Sequence, residues 1–137
     1  MTSLPPLEDL LDEYELLEGE DRYRLLIDIG RQLDPMPDVL KTDATKVRGC
    51  SASVWVYPMM EGGRLHFLAD SNAAITKGIV ALILSAVQDK PAEEIARMDI
   101  TGALAPFELS KHLSANRTQG VPNMIALIKE TAQRLTA

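Results

Sequence analysis

The chain of 137 residues holds one cysteine, Cys50, and two histidines, His66 and His112, so any thiol chemistry within it runs on a single sulfur. That count excludes an internal disulfide framework, a zinc finger and any metal cluster held by several thiolates of one chain. Most isolated cysteines are small buried core residues, and that is the plain alternative for Cys50. Three neighbouring features argue for more. Cys50 follows Gly49 at a junction between two strand-like stretches; Gly49 removes a side chain that would crowd an approaching molecule; and Arg48 favours the nucleophilic thiolate if its side chain turns towards the sulfur.

Spacing tests the known thiol chemistries. A phosphatase loop needs an arginine after five intervening residues, and that position is Val56. A dithiol oxidoreductase needs a second cysteine three places on, where Cys50-Ser51-Ala52-Ser53 has serine. A monothiol redox motif of that form belongs at a helix start, whereas a strand follows here. A Cys-His hydrolase requires His66 or His112 to come close to the sulfur in space. His66 lies on a strand-like stretch among apolar residues, as structural histidines do, and His112 sits in a polar loop.

The elements that must position this sulfur follow from hydrophobic periodicity. Leu7, Leu10, Leu11, Tyr14 and Leu17 form the stripe of an amphipathic helix opened by Pro5-Pro6 and ended by Gly19. A second stripe, Tyr23, Leu26, Ile27, Gly30 and Leu33, is closed by Asp34-Pro35-Met36-Pro37, and the two helices are expected to pair as a hairpin. Gly30 on the apolar face allows close helix contact. Thr45 to Arg48, Ser53 to Tyr57 and Arg64 to Ala69 have strand character, giving an antiparallel sheet of about three strands, with Pro58 at a strand edge or end. Asp70 or Ser71 is placed to cap a helix from Ala73 to Val87 that is apolar on almost every side and so belongs in the core. Short helices follow near Lys90 to Ile95 and Thr101 to Leu109, and a final helix is striped by Met124, Ile125, Ile128, Ala132 and Leu135. The expected fold is a single α+β domain over residues 1–137, with helices packed on one face of the small sheet.

Charge narrows the partners. The net charge is −6, yet residues 1–40 carry eleven acids against three arginines, a net −8 that leaves +2 for the rest. An acidic first third argues against nucleic acid, which needs clustered Lys and Arg. It is either a solvated helical face or a docking face for a basic patch on a partner. The N-terminus shows no basic-then-apolar secretory pattern, and the longest apolar run, Gly78 to Val87, falls short of the roughly 20 residues that span a bilayer. A cytoplasmic protein with no membrane contact is the expectation.

Val47-x-Gly49-Cys50 followed by Val54-Trp55 resembles the active-site segment of the SufE family of sulfur-acceptor proteins in iron–sulfur cluster assembly. Asp70-Ser71-Asn72-Ala73-Ala74-Ile75 with Lys77-Gly78, and His112-Leu113-Ser114-Ala115-Asn116-Arg117-Thr118-Gln119-Gly120 with Met124, resemble two further segments of that family in order and spacing. The family's serine two places after the cysteine is Ala52 here, which puts a hydroxyl role at that position in doubt. Its Ser-Arg-Ser near the end reads Asn116-Arg117-Thr118.

The resemblance implies a SufE/IscU-like fold and a persulfide-forming Cys50. That thiol would accept sulfur from a SufS-type cysteine desulfurase, stimulate it, and hand the sulfur to a cluster-assembly scaffold complex. It implies no turnover on free substrate and no cofactor or metal held by this chain, pyridoxal phosphate residing on the desulfurase. Arg117 is either an exposed arginine, a brace for the cysteine loop or a donor contact. Monomer and homodimer are both open. A lone thiol suits such a carrier, because a neighbouring cysteine would attack the persulfide and release sulfide. Val54, Trp55, Val56, Phe67 and the apolar helix would shelter the sulfur, with Trp55 in the core, and the loop is then expected to swing outward when a donor docks. The rivals are an iron–sulfur scaffold, which generally presents three cysteines, and the Cys-His hydrolase.

Overall fold

A computed structural model describes residues 4–49, 52–111 and 120–136. Two helices open the chain, α1 (Leu7–Leu16) and α2 (Glu20–Gly30). A hairpin of β1 (Val54–Glu61) and β2 (Arg64–Ser71) follows, then the central helix α3 (Ala74–Val87). The two-residue strand β3 (Lys90–Pro91) leads into α4 (Ala92–Arg97) and α5 (Ile100–Leu104), and α6 (Gly120–Thr136) ends the described chain. The sheet is antiparallel in the order β1-β2-β3.

The expected α+β fold is what forms, and strand alternation decides which face the helices cover. Val54, Val56, Leu65, Phe67 and Ala69 are buried against the helical layer, where α3 lies almost wholly inside the core. Val56 N–H donates to the Thr45 carbonyl, away from β2, so Pro58, two residues on, also points its nitrogen outward. Its missing N–H therefore costs the β1–β2 ladder nothing, and Pro58 sits within an edge strand instead of ending it.

Several expectations need correction. Thr45 to Arg48 is not a strand; it contributes one isolated bridge, Lys46 to Trp55. The third strand is Lys90–Pro91, expected as the opening of a helix. The ladder is extended by the buried Gln88 side chain, which accepts from Phe67 N–H and donates to the Phe67 carbonyl, both at 2.7 Å. The helix expected over Thr101 to Leu109 breaks into α5 and two 3-10 turns. Tyr23, assigned to the apolar stripe of α2, is 41% exposed.

α2 packs principally on α3, not on α1 as a hairpin. The contact is glycine-mediated: a Cβ on Gly30 would lie 2.8 Å from the Gly78 nitrogen, and one on Gly78 would overlap the Leu26 carbonyl. Gly30 does permit a close helix approach, but to the core helix. α1 is held instead by Tyr14, whose hydroxyl donates to the Phe107 carbonyl at 2.8 Å. Arg22 lies 4.4 Å over the Tyr14 ring and donates to the carbonyls of Tyr14 and Leu17, satisfying the open end of α1.

Candidate functional site

Cys50, with Ser51, and Arg117 and His112, in the segment 112–119, lie outside the described residues. The residues that carry the cysteine segment are described, and they are held from three directions. The chain entering it pairs with the chain leaving it, Val47 N–H donating to the Val54 carbonyl at 2.8 Å. Beyond that rung Gly49 takes φ +84°, in the left-handed region that suits glycine. Val47 in the rung and Ala52 on the leaving side are both buried.

Asn72, at the end of β2, meets Ser53 twice. Its Oδ1 accepts from Ser53 N–H at 3.1 Å, and its own N–H donates to the Ser53 carbonyl at 3.3 Å. From the helical side, Asn123 Nδ2 in the first turn of α6 donates to the Arg48 carbonyl at 2.8 Å. Arg48 itself is exposed.

Behind the rung stands an ionic cluster on the sheet face opposite the core. Asp70 opposes Trp55 in the register and receives Lys41 Nζ at 2.7 Å and Lys77 Nζ at 3.2 Å. Burial by itself would raise the Asp70 pKa. Lys41, the Ser71 N–H and Lys77 outweigh it and hold the carboxyl below its ordinary value. Lys41 is correspondingly raised, first by its hydrogen bond to Asp70. Asp70 is therefore an ion-pair centre, and neither Asp70 nor Ser71 is the expected cap: the N-cap of α3 is Ala73, without a side-chain cap, and Ser71 Oγ accepts from the N–H of Ala73 itself, at 3.3 Å. Trp55 is likewise not core. With Val54 and Val56 turned inward, it stands half-buried on the other face, where Lys41 Nζ lies 5.8 Å from its ring centre.

His66 is a structural residue at the other end of the hairpin. It pairs with Met59, five rungs from the Val54–Ser71 pair where the cysteine segment attaches, or roughly 17 Å along the strand. Both ring nitrogens are engaged by carboxylates, Nδ1 with Asp89 Oδ1 at 2.8 Å and Nε2 with Asp34 Oδ2 at 3.0 Å. It is not free to act as a base for Cys50. Among the described residues no group of three or more His, Cys, Asp or Glu is arranged to hold a metal ion, and no helix is long and apolar enough to cross a membrane.

The sequence pattern did not flag Asn123, Lys41 or Gln88. Gln88 follows directly on the apolar run of α3, the one local signal that this polar side chain turns inward. Asn123 has no such signal, because its partner lies far along the chain, and for Lys41 the local spacing points only to Asp38, not to Asp70.

Residues 8–132 match the family described as "SufE: Fe-S metabolism associated domain". An uncharacterised SufE-like protein of Rhizobium meliloti is 38% identical, over 97% of this chain and 96% of its own. The sulfur acceptor protein CsdE of Escherichia coli is 38% identical, over 86% of this chain and 82% of its own. In structure the chain is similar to a hypothetical protein of Thermus thermophilus, with TM-score 0.77 at 19% identity, covering 98% of this chain and 99% of that one; this likeness bears on the fold alone.

Proposed function

We propose, from the premise that this chain belongs to the SufE family, that it is a sulfur acceptor and carrier in iron–sulfur metabolism and that Cys50 is the acceptor. The Cys50 thiolate attacks the outer sulfur of a persulfide on a cysteine desulfurase. One S–S bond forms on Cys50 as the donor's S–S bond breaks, and the donor leaves as thiolate; the exchange needs no external oxidant or reductant. The same exchange in reverse roles passes the sulfur to a cluster-assembly scaffold complex. Draining the persulfide frees the donor for another turnover, which is how a protein with no activity on free cysteine stimulates a desulfurase. Pyridoxal phosphate chemistry stays on the donor, of SufS type, and the carrier itself needs no cofactor or metal.

The observation that carries this proposal is the tethering around the chain's one sulfur. A single thiol stands in a short segment whose two feet are tied to the sheet and to α6, and no second cysteine exists to divert the persulfide. Arg117, in the stretch leading into α6, fits a brace on that segment or a donor contact. Outward movement of the cysteine segment on docking and action in the cytoplasm belong to the same proposal. The test is direct. Incubation with a cysteine desulfurase and cysteine should add one sulfur atom to Cys50, seen by mass spectrometry, and Cys50→Ser should abolish both the adduct and the stimulation. A wild-type protein that gains no sulfur, or a Cys50→Ser variant that still stimulates, would falsify the proposal.

A further inference from the structure

We propose that Asn123 is a positioning residue for Cys50, holding the Arg48–Gly49 peptide and thereby setting how readily the thiol meets an electrophile; this rests on Cys50 being the acceptor. Among the described residues, the last backbone bond across the feet of the cysteine segment is Val47 to Val54. Past it, and again among the described residues, the two feet are secured unequally. Ser53 is bound at both its N–H and its carbonyl by Asn72, a residue of the sheet end. Arg48 is bound at its carbonyl by one side-chain amide, from an exposed Asn123 that lies 75 positions away in sequence.

That single bond has directional consequences. The peptide group is planar, and in its trans form the carbonyl of one residue points opposite to the N–H of the next. With the Arg48 carbonyl turned to α6, the Gly49 N–H is turned away from it. Gly49 then takes φ +84°, so a rotation of this peptide plane is passed on to the backbone at Gly49. Asn123 also sits three residues into a helix that follows directly on the segment holding Arg117. Its amide thus joins the cysteine-bearing segment to the start of α6. Asparagine suits the task, since its short stem presents an N–H donor that alanine lacks.

Removing a partly solvated hydrogen bond changes an equilibrium by about three- to tenfold. The experiment measures iodoacetamide alkylation of the intact protein, whose only thiol is Cys50, alongside the urea midpoint and amide hydrogen exchange. Asn123→Ala should raise the alkylation rate about threefold or more, while the Val47 amide stays as protected as in wild type and the urea midpoint falls only slightly. Asn123→Gln, which retains the donor on a longer stem, should return the rate to within about twofold of wild type. An alanine variant that reacts no faster than wild type, or a glutamine variant as reactive as alanine, would overturn the assignment. No sulfur donor is used, so this result and the persulfide experiment can fail independently.

Discussion

Asn72 and Ser53 are joined by two hydrogen bonds, one through the Asn72 side chain at 3.1 Å and one through its backbone N–H at 3.3 Å. The pair continues the hairpin one step beyond the Val54–Ser71 rung and fixes the foot of the segment that ends in Cys50. Only the side-chain bond depends on residue type. Asn72→Ala should therefore cost about 1 kcal/mol in urea unfolding and raise the alkylation rate of Cys50. Asn72→Asp, which keeps the accepting oxygen, should recover most of that stability.

Gln88 does for β2 what a longer β3 would have done. The short strand pairs only Arg64 and Leu65, and the Gln88 amide supplies both partners for the backbone of Phe67 inside the core. Gln88→Ala strands a buried donor and a buried acceptor, each costing about 1–3 kcal/mol. Unfolding by urea should show a loss of about 2–6 kcal/mol with little change in slope. A loss under about 1 kcal/mol would mean that water replaces the amide.

How legible these features were depended on how locally each was encoded. α3 could be read because it is apolar all round, and β1 because Val54, Trp55 and Val56 favour extended backbone. The same stretch misled on Trp55: one inward-facing set must alternate with one outward, and Val54 and Val56 took the core. Thr45 to Arg48 has strand-like residues, but it makes a single bridge with Trp55. Lys90–Pro91 has no strand signal at all and pairs only because the turn at Gln88 and Asp89 delivers it to β2. Asp70 looked like a cap because a helix follows soon after, yet β2 runs on to Ser71 and turns the carboxylate towards Lys41. The turn at Gly49 was visible in two letters of sequence. Its tether from Asn123 was not, because nothing local marks a contact across 75 positions.

His66 offers a test that separates structure from catalysis. Its imidazole is the shared partner of Asp34 and Asp89, and the second oxygen of Asp89 is buried with no hydrogen bond among the described residues. His66→Ala leaves the Asp89 carboxylate without its imidazole partner, at a cost of about 2–4 kcal/mol. Sulfur uptake by Cys50, measured per folded molecule, should be unchanged. Loss of uptake in a fully folded His66→Ala protein would instead revive a Cys-His mechanism.

Asp70 ties the acid limit of stability to the base of the cysteine segment. Its carboxyl titrates below the ordinary value of 3.8 in the folded protein, since Lys41, the Ser71 N–H and Lys77 all favour the charged form over the cost of burial. A group depressed on folding binds protons more readily when unfolded. Its stabilisation is therefore complete above the ordinary carboxylate value and drains away as pH falls through the lower, folded one. Lys41, raised by the same pair, stays charged throughout that range and adds no slope of its own there. Asp70→Asn should melt below wild type at pH 7, and the gap should narrow steadily as pH drops below about 4. A constant gap from neutral to acid pH would assign the Asp70 contribution to packing, not to its charge. Because Lys41 also covers Trp55, quenching of the single tryptophan should change with the same acid transition in wild type and not in Asp70→Asn.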